Sequence, residues 1–179
     1  MTEPGFDLQP TLTGELLTLR PLEQADFDAL FSVASDPLIW EQHPARERYR
    51  KDIFTQLFRE SMASGGALIA LNAKDGSVIG SSRYWGYNAA ASEIEIGWSF
   101  LARAYWGGAY NREMKRLMLE HAFRFVNSVV FLIGLNNIRS QRAIEKIGAR
   151  PAGTRRNGAG LESLAYQITA RDWMGDEAE

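Results

Sequence analysis

The sequence predicts a single α/β domain built around a mixed sheet. Three observations predict it. The spacing of apolar residues switches repeatedly between helical steps and strict alternation. The chain's 179 residues fall within the roughly 100–200 residues of one domain. No repeat, low-complexity tract or linker divides it. A composition of 45% hydrophobic and 23% charged residues excludes a disordered or fibrous chain. The absence of cysteine excludes disulfides, thiolate metal sites and a cysteine nucleophile.

The elements follow in order. Residues 15–20 (ELLTLR) read as a short strand ended by Pro21. Residues 23–34 place Ala25, Phe27, Leu30, Phe31 and Ala34 near helical spacing, and Asp36-Pro37 stops that helix. An irregular loop over 38–48 leads into a second amphipathic helix at 49–63, carrying Ile53, Phe54, Leu57, Phe58 and Met62 on one side. Residues 67–72 and 77–85 form a hairpin around Lys74-Asp75-Gly76. After a loop at 86–91, strict alternation over 92–101 puts Ile94, Ile96, Trp98 and Phe100 on one face. Glu93, Glu95, Gly97 and Ser99 take the other. A glycine turn opens a helix over 108–126, striped by Tyr110, Met114, Leu117, Met118, Ala122 and Phe125. The apolar run 128–133 suits a strand buried on both faces. A helix at 137–147 closes on Gly148. Strands near 149–156 and 162–169 flank an Asn157-Gly158 turn. The order β α α β β β α β α β β needs a sheet that is partly antiparallel and partly parallel.

Charge is unevenly placed. Residues 103–156 carry 11 Lys and Arg against 3 Asp and Glu, whereas residues 1–60 carry 6 against 11, within a chain of net charge −2. A basic third in an acidic protein favours a polyanionic ligand, although a solvated helix face has the same signature. A pI near 5.8 argues against nucleic acid. Residues 1–10 are acidic and hold no apolar run, so they do not read as a signal peptide. No apolar stretch approaches the roughly 18–20 residues that cross a bilayer. The expectation is a cytoplasmic protein with no membrane partner. The two histidines, His43 and His121, are too few and too isolated for a metal site.

The informative unit is the strand 92–101, the turn Trp106-Gly107-Gly108 and the helix that follows. A strand that enters a helix through glycines aims free backbone N–H groups and the positive end of the helix dipole at one point, ready for a phosphate. Arg103, Arg112 and Lys115 stand where they can add charge-assisted contacts. The alternative is a tight turn whose glycines only supply positive φ.

The run IEIGWSFLARAYWGGAYNREMKRLMLEHAFRF, from Ile94 to Phe125, resembles the acetyl-CoA-binding segment of the GNAT superfamily of N-acetyltransferases. Asn137-Ile138-Arg139-Ser140, continuing to Lys146-Ile147-Gly148-Ala149, resembles that family's Asn-x-x-Ser … Lys-x-Gly-Phe helix. The opening ELLTLRPLEQAD and the ending ESLAYQITARDW are similar to the branch that contains ribosomal-protein N-terminal acetyltransferases. The matches run in order over about residues 15–173, and they imply one acyl-CoA N-acyltransferase domain over 1–179. The implied fold is a central sheet splayed between two parallel strands and flanked by about four helices.

The resemblance implies a site. The pantetheine arm would bond the backbone of Ser99, Phe100 and Leu101. The pyrophosphate would lie over Gly107, Gly108, Ala109, Tyr110, Asn111 and Arg112, with Arg103 just ahead of the turn. The family writes this turn as Gln or Arg-x-x-Gly-x-Gly or Ala; here Ala109 replaces the central glycine and Asn111 the final small residue. Asn137 would hold an amide of the cofactor arm, with Ser140 near its sulfur. Many relatives carry a tyrosine four positions beyond Ser140; this chain has Ile144, which leaves Ser140 as the candidate proton donor to the thiolate. A hydroxyl bonded back to its own helix is the alternative for Ser140.

An amine attacks a thioester only after losing a proton. Glu95 is the candidate base, directly or through water, and Glu93 its competitor. Trp40, His43, Arg46, Arg83 and Tyr84 are the candidate acceptor-side residues. The expected reaction moves acetyl from acetyl-CoA (coenzyme A as carrier) to a primary amine by direct attack, with a protein N-terminus or a small-molecule amine as acceptor. A homodimer is compatible with the sequence. A non-catalytic sensor of acyl-CoA or nucleotide, and a longer donor such as succinyl-CoA, remain as alternatives.

Overall fold

A computed structural model describes residues 5–176. Eight strands form one sheet in the order β1-β2-β3-β4-β5-β6-β8-β7. They are β1 (Leu12–Thr13), β2 (Leu17–Pro21), β3 (Ala67–Asn72), β4 (Val78–Asn88), β5 (Glu93–Leu101), β6 (Ser128–Gly134), β7 (Arg150–Arg156) and β8 (Glu162–Thr169). Every neighbouring pair is antiparallel except β5–β6. The helices are α1 (Phe27–Ala34), α2 (Lys51–Ser64), α3 (Ala109–Ala122), α4 (Ile138–Lys146) and α5 (Ala170–Asp176).

Two apolar layers sandwich the sheet. On one face α1 and α2 pack Leu30, Phe54, Leu57 and Phe58 with Trp40 against Ile69 and Phe100. On the other, Met114 and Met118 of α3 and Ile144 of α4 cover Leu68, Ile94, Ile96, Val129 and Phe131. Gly65 ends α2 at φ 68°, the left-handed conformation that a β-carbon disfavours. The loop expected over 38–48 contains two short 3-10 turns, Pro37–Trp40 and Arg46–Tyr49. Strand β1 and helix α5 lie beyond the elements the sequence predicts, so the described residues hold five α-helices where about four are expected. The helix expected to reach 126 stops at Ala122.

One long-range anchor ties α3 to the sheet. The Glu113 carboxylate of α3 accepts the backbone N–H groups of Glu15, Leu16 and Leu17 at 3.0, 2.7 and 2.9 Å. It therefore pins the start of β2 to the helix, and Glu113 itself is 8% exposed.

Strand β5 departs from the alternation its sequence suggests. Ile94 and Ile96 face the α3 layer, but Phe100 belongs to the α1/α2 layer and Trp98 packs against that layer too. The reason is a bulge: Arg83 of β4 pairs with Gly97 and Ser81 with Phe100, so β5 carries one residue more than β4 between these pairs. Trp98 absorbs the extra residue at φ 53°, a left-handed conformation uncommon outside glycine. The strand thus switches faces halfway, and its second half is free to diverge.

Candidate functional site

The parallel pair β5–β6 is hydrogen-bonded only where Glu93, Ile94 and Glu95 meet Ser128, Val129 and Val130. Strand β6 continues to Gly134 on β8 alone, while β5 runs on beside β4 to Leu101. Between them opens a wedge whose β5 edge has no strand partner on this side. It leads into a cleft of about 560 Å³. Ser99, Phe100 and Leu101 form one wall, Trp106, Gly107, Gly108, Asn111 and Arg112 another, and Asn137, Ile138, Arg139, Ser140, Arg142, Ala143, Lys146 and Ile147 a third. Ile39, Trp40, Gln42 and His43 close it from the α1/α2 side.

The glycine turn is built for close approach. Gly107 and Gly108 both sit at φ 112°, and a β-carbon on either would meet nothing within 4 Å. Space is therefore open in front of the backbone that begins α3, where unpaired N–H groups point outward. The cations that line the cleft are Arg112, Arg139, Arg142 and Lys146. The last three recur along α4 at steps of three and four, so they share one helical face. That spacing is visible in the sequence, yet Arg139, Arg142 and Lys146 were not assigned. The Arg139 guanidinium lies 4.1 Å from the centre of the Trp106 ring. The Arg139 N–H donates to Gln42 Oε1 at 3.0 Å, which ties the loop after the first 3-10 turn to α4.

Asn137 caps α4, its Oδ1 accepting the Ser140 N–H at 3.4 Å, and lines the cleft. The Ser140 hydroxyl makes no hydrogen bond among the described residues. The back-bonded alternative is therefore absent.

Other expected residues lie elsewhere. Arg103 is paired with Asp36, the N-cap of the first 3-10 turn, and does not line the cleft. Ala109 begins α3 outside the cleft lining, and Tyr110 packs its ring 4.8 Å from Tyr105. Tyr84 is not brought to the acceptor side: its hydroxyl donates to the Met118 carbonyl at 2.6 Å, fully buried beneath α3. Arg46 sits exposed in the second 3-10 turn, away from the cleft. Lys115 does not reach toward phosphate; it turns into the sheet and contacts Ser99 Oγ. His121 instead binds the Asp7 carbonyl at 2.8 Å.

Trp40 does line the cleft, 5.0 Å from Phe100, with its indole N–H donating to the Ala34 carbonyl. His43 accepts the Ala45 N–H at Nδ1, and Arg48 stands 3.2 Å from Nε2. Burial and then the Arg48 charge push His43 down to about 3, so it is neutral near pH 7. No group of three or more His, Cys, Asp or Glu that could hold a metal occurs among the described residues.

The two carboxylates of β5 sit in different surroundings. Glu93 is gripped by Arg155 at 2.6 and 3.2 Å. Glu95 forms no ion pair among the described residues, and its Oε1 lies 3.2 Å from where a β-carbon on Gly97 would sit. The carboxylate therefore runs along the strand toward the bulge. Burial raises Glu95 to about 7, outweighing the opposing pull of Arg83 and Arg155. Arg83 is held nearby: its guanidinium covers the Trp98 ring at 4.1 Å and donates to Ser61 Oγ at 2.6 Å.

A splayed parallel pair and a glycine turn opening a helix enclose a cation-rimmed cleft, a shape and charge that suit an elongated anionic ligand. The family model described as "Acetyltransferase (GNAT) domain" matches residues 17–150, and the chain belongs to that family. Its fold is similar to that of a GCN5-related N-acetyltransferase from Brucella melitensis (TM-score 0.79, 19% identity, 93% of this chain and 81% of that one). It is also similar to Mycobacterium smegmatis RimJ in complex with CoA-disulfide (TM-score 0.69, 19% identity, 94% and 91% covered). A third likeness is to spermidine N-acetyltransferase from Vibrio cholerae in complex with CoA and spermine (TM-score 0.69, 17% identity, 90% and 99% covered). No helix among the described residues is long and apolar enough to cross a membrane.

Proposed function

We propose that this protein transfers an acetyl group from acetyl-CoA to a primary amine by direct attack within a ternary complex. The observation that carries the reading is the wedge between β5 and β6, opening onto the cleft of about 560 Å³. Its dimensions and lining fit the donor: free backbone along Ser99–Leu101 for an amide-bearing arm, and Gly107–Gly108 with Arg112, Arg142 and Lys146 for phosphates. The donor supplies an acetyl group activated as a thioester.

The chain's own groups supply proton transfer. Glu95, near 7, is ionised in part at neutral pH and takes a proton from the incoming ammonium, directly or through water. Glu93 is neutralised by Arg155 and serves structure. The free Ser140 hydroxyl faces the cleft and gives a proton to the leaving thiolate. A backbone N–H of the diverging strand stabilises the oxyanion. Acceptor chemistry comes to this chain by likeness: RimJ and a spermidine acetyltransferase both share its fold. The opening and ending segments favour the ribosomal-protein N-terminal acetyltransferase-like branch, with a protein N-terminus or a small-molecule amine as acceptor.

Isothermal titration with acetyl-CoA, followed by a panel of N-terminal peptides, polyamines and amino acids, is the test. Binding together with CoA release that depends on an amine is expected. No detectable binding at millimolar ligand overturns the reading.

A further inference from the structure

The α1/α2 side of the wedge gathers hydrogen-bond donors that lack an acceptor. Because His43 Nδ1 accepts the Ala45 N–H, the proton of that ring sits on Nε2. The Arg48 guanidinium, which can only donate, stands 3.2 Å from Nε2. Two donors therefore meet with no oxygen between them. Arg83 adds a third: it is 5% exposed, and its Nε is buried without a partner among the described residues. Its Nη2 donates to Ser61 Oγ. Neither arginine forms an ion pair among the described residues, although Glu60 and Glu95 are near enough for their charges to act. Arg83 also feels Arg48 as a repelling charge. Buried donors left unpaired are costly, charged ones more so.

Aromatic rings fix these cations. Arg48 lies 5.6 Å from the Trp40 ring centre and Arg83 4.1 Å from that of Trp98. Phe100, packed on Trp40, lines both the large cleft that His43 closes and a recess of about 10 Å³ beside Arg83. That recess is close to the room one water-sized oxygen needs. The candidate base shares this face. Tyr84, Ile94 and Ile96 turn into the α3 layer, so Arg83 and Glu95, their neighbours along β4 and β5, turn to the α1/α2 side. Arg83 pairs with Gly97 across the strands, and Glu95 Oε1 leans toward Gly97.

We propose that the acceptor carries a carboxylate a few bonds from its amine, held by Arg48, Arg83 and the Nε2–H of His43 while Glu95 takes the ammonium proton. Resting on the amine-acetylation reading above, this narrows the acceptor to zwitterionic amines: a free amino acid, or an N-terminal residue with an acidic side chain. The amine nitrogen bonds to the acetyl carbon, the carbon–sulfur bond breaks, and the thiolate is protonated as before. The carboxylate only positions the amine. Its two oxygens suit the planar fork of a guanidinium and supply the acceptor that these donors lack. A polyamine, all cation, meets two arginines here and is disfavoured.

Paired acceptors test it. Wild-type protein with acetyl-CoA is assayed by CoA release against glutamate, aspartate and alanine, each beside its α-amide, and against peptides that begin with Asp or with Asn. In at least one pair the member with the extra carboxylate is expected to show the higher kcat/KM, by roughly tenfold or more. Arg48→Gln is expected to raise KM for that member and bring the ratio of the pair toward one, with kcat moving less. Equal rates within every pair, a preference for the amides, or a ratio unchanged in both Arg48→Gln and Arg83→Gln overturns the inference. A preference for succinyl-CoA over acetyl-CoA with an uncharged amine, lost in Arg48→Gln, assigns the donors to the acyl group and overturns it too. If acids and amides react alike, only this inference falls. If acetyl-CoA does not bind by calorimetry, or no amine releases CoA, the transferase reading falls with it.

Discussion

At the scale of single residues, the most consequential group is Glu95. Its acid form is favoured in the folded protein because burial disfavours the carboxylate, raising it from 4.5 to about 7. A carboxyl shifted upward binds more protons folded than unfolded between those two values, so it lowers stability as pH rises through that window. Glu95→Gln removes this cost: the variant is expected to gain stability over wild type above pH 7, on the order of 3 kcal/mol, and nothing below about pH 4. Chemical denaturation at the two pH values checks it. The same substitution is expected to lower the transfer rate roughly 100-fold near neutral pH. The loss shrinks toward about pH 10, where a free amine sheds its own proton. A pH–rate profile unchanged by Glu95→Gln would assign the proton to solvent. The pairing of Glu93 with Arg155 could not be read from sequence, because β5 and β7 are brought together only through β6 and β8.

At the scale of elements, sequence patterning located most strands and helices because each has one apolar face. It failed on β5 for a local reason. Alternation assigns Trp98 and Phe100 to the side of Ile94 and Ile96, but a single left-handed residue inverts the phase from there onward. Nothing in the string EIGWSFL announces that inversion, since tryptophan is a poor candidate for positive φ. The short β1 is hidden because two residues carry no period, and α5 because it spans only seven residues. The anchor from α3 to β2 was likewise invisible: Glu113 reads as one more charge on a helix. Glu113→Ala leaves three backbone donors without their acceptor and is expected to cost roughly 3 kcal/mol in urea unfolding. A loss below about 1 kcal/mol would mean water replaces the carboxylate.

At the scale of the whole molecule, the basic third found by counting charges does converge. Arg112 of α3 and Arg139, Arg142 and Lys146 of α4 reach one cleft from two helices. Others in that stretch are spent elsewhere: Arg116 pairs with Glu120, Arg155 with Glu93, and Arg103 with Asp36. A count of residues cannot separate these groups, because partner choice is a tertiary property. If the four cleft cations hold phosphates, the double variant Arg142→Ala/Lys146→Ala is expected to weaken CoA binding about tenfold or more at low salt. The deficit should narrow as ionic strength rises and screening takes over. Calorimetry across a salt series reads this directly, and an affinity indifferent to both changes would place the phosphates elsewhere.

Phe100 belongs at once to the cleft wall and to the α1/α2 layer, where Trp40 lies against it. Close-packed rings do not yield independently. Anything that entered between the diverging strands would press on the same pair of rings that seats the Pro37–Trp40 turn.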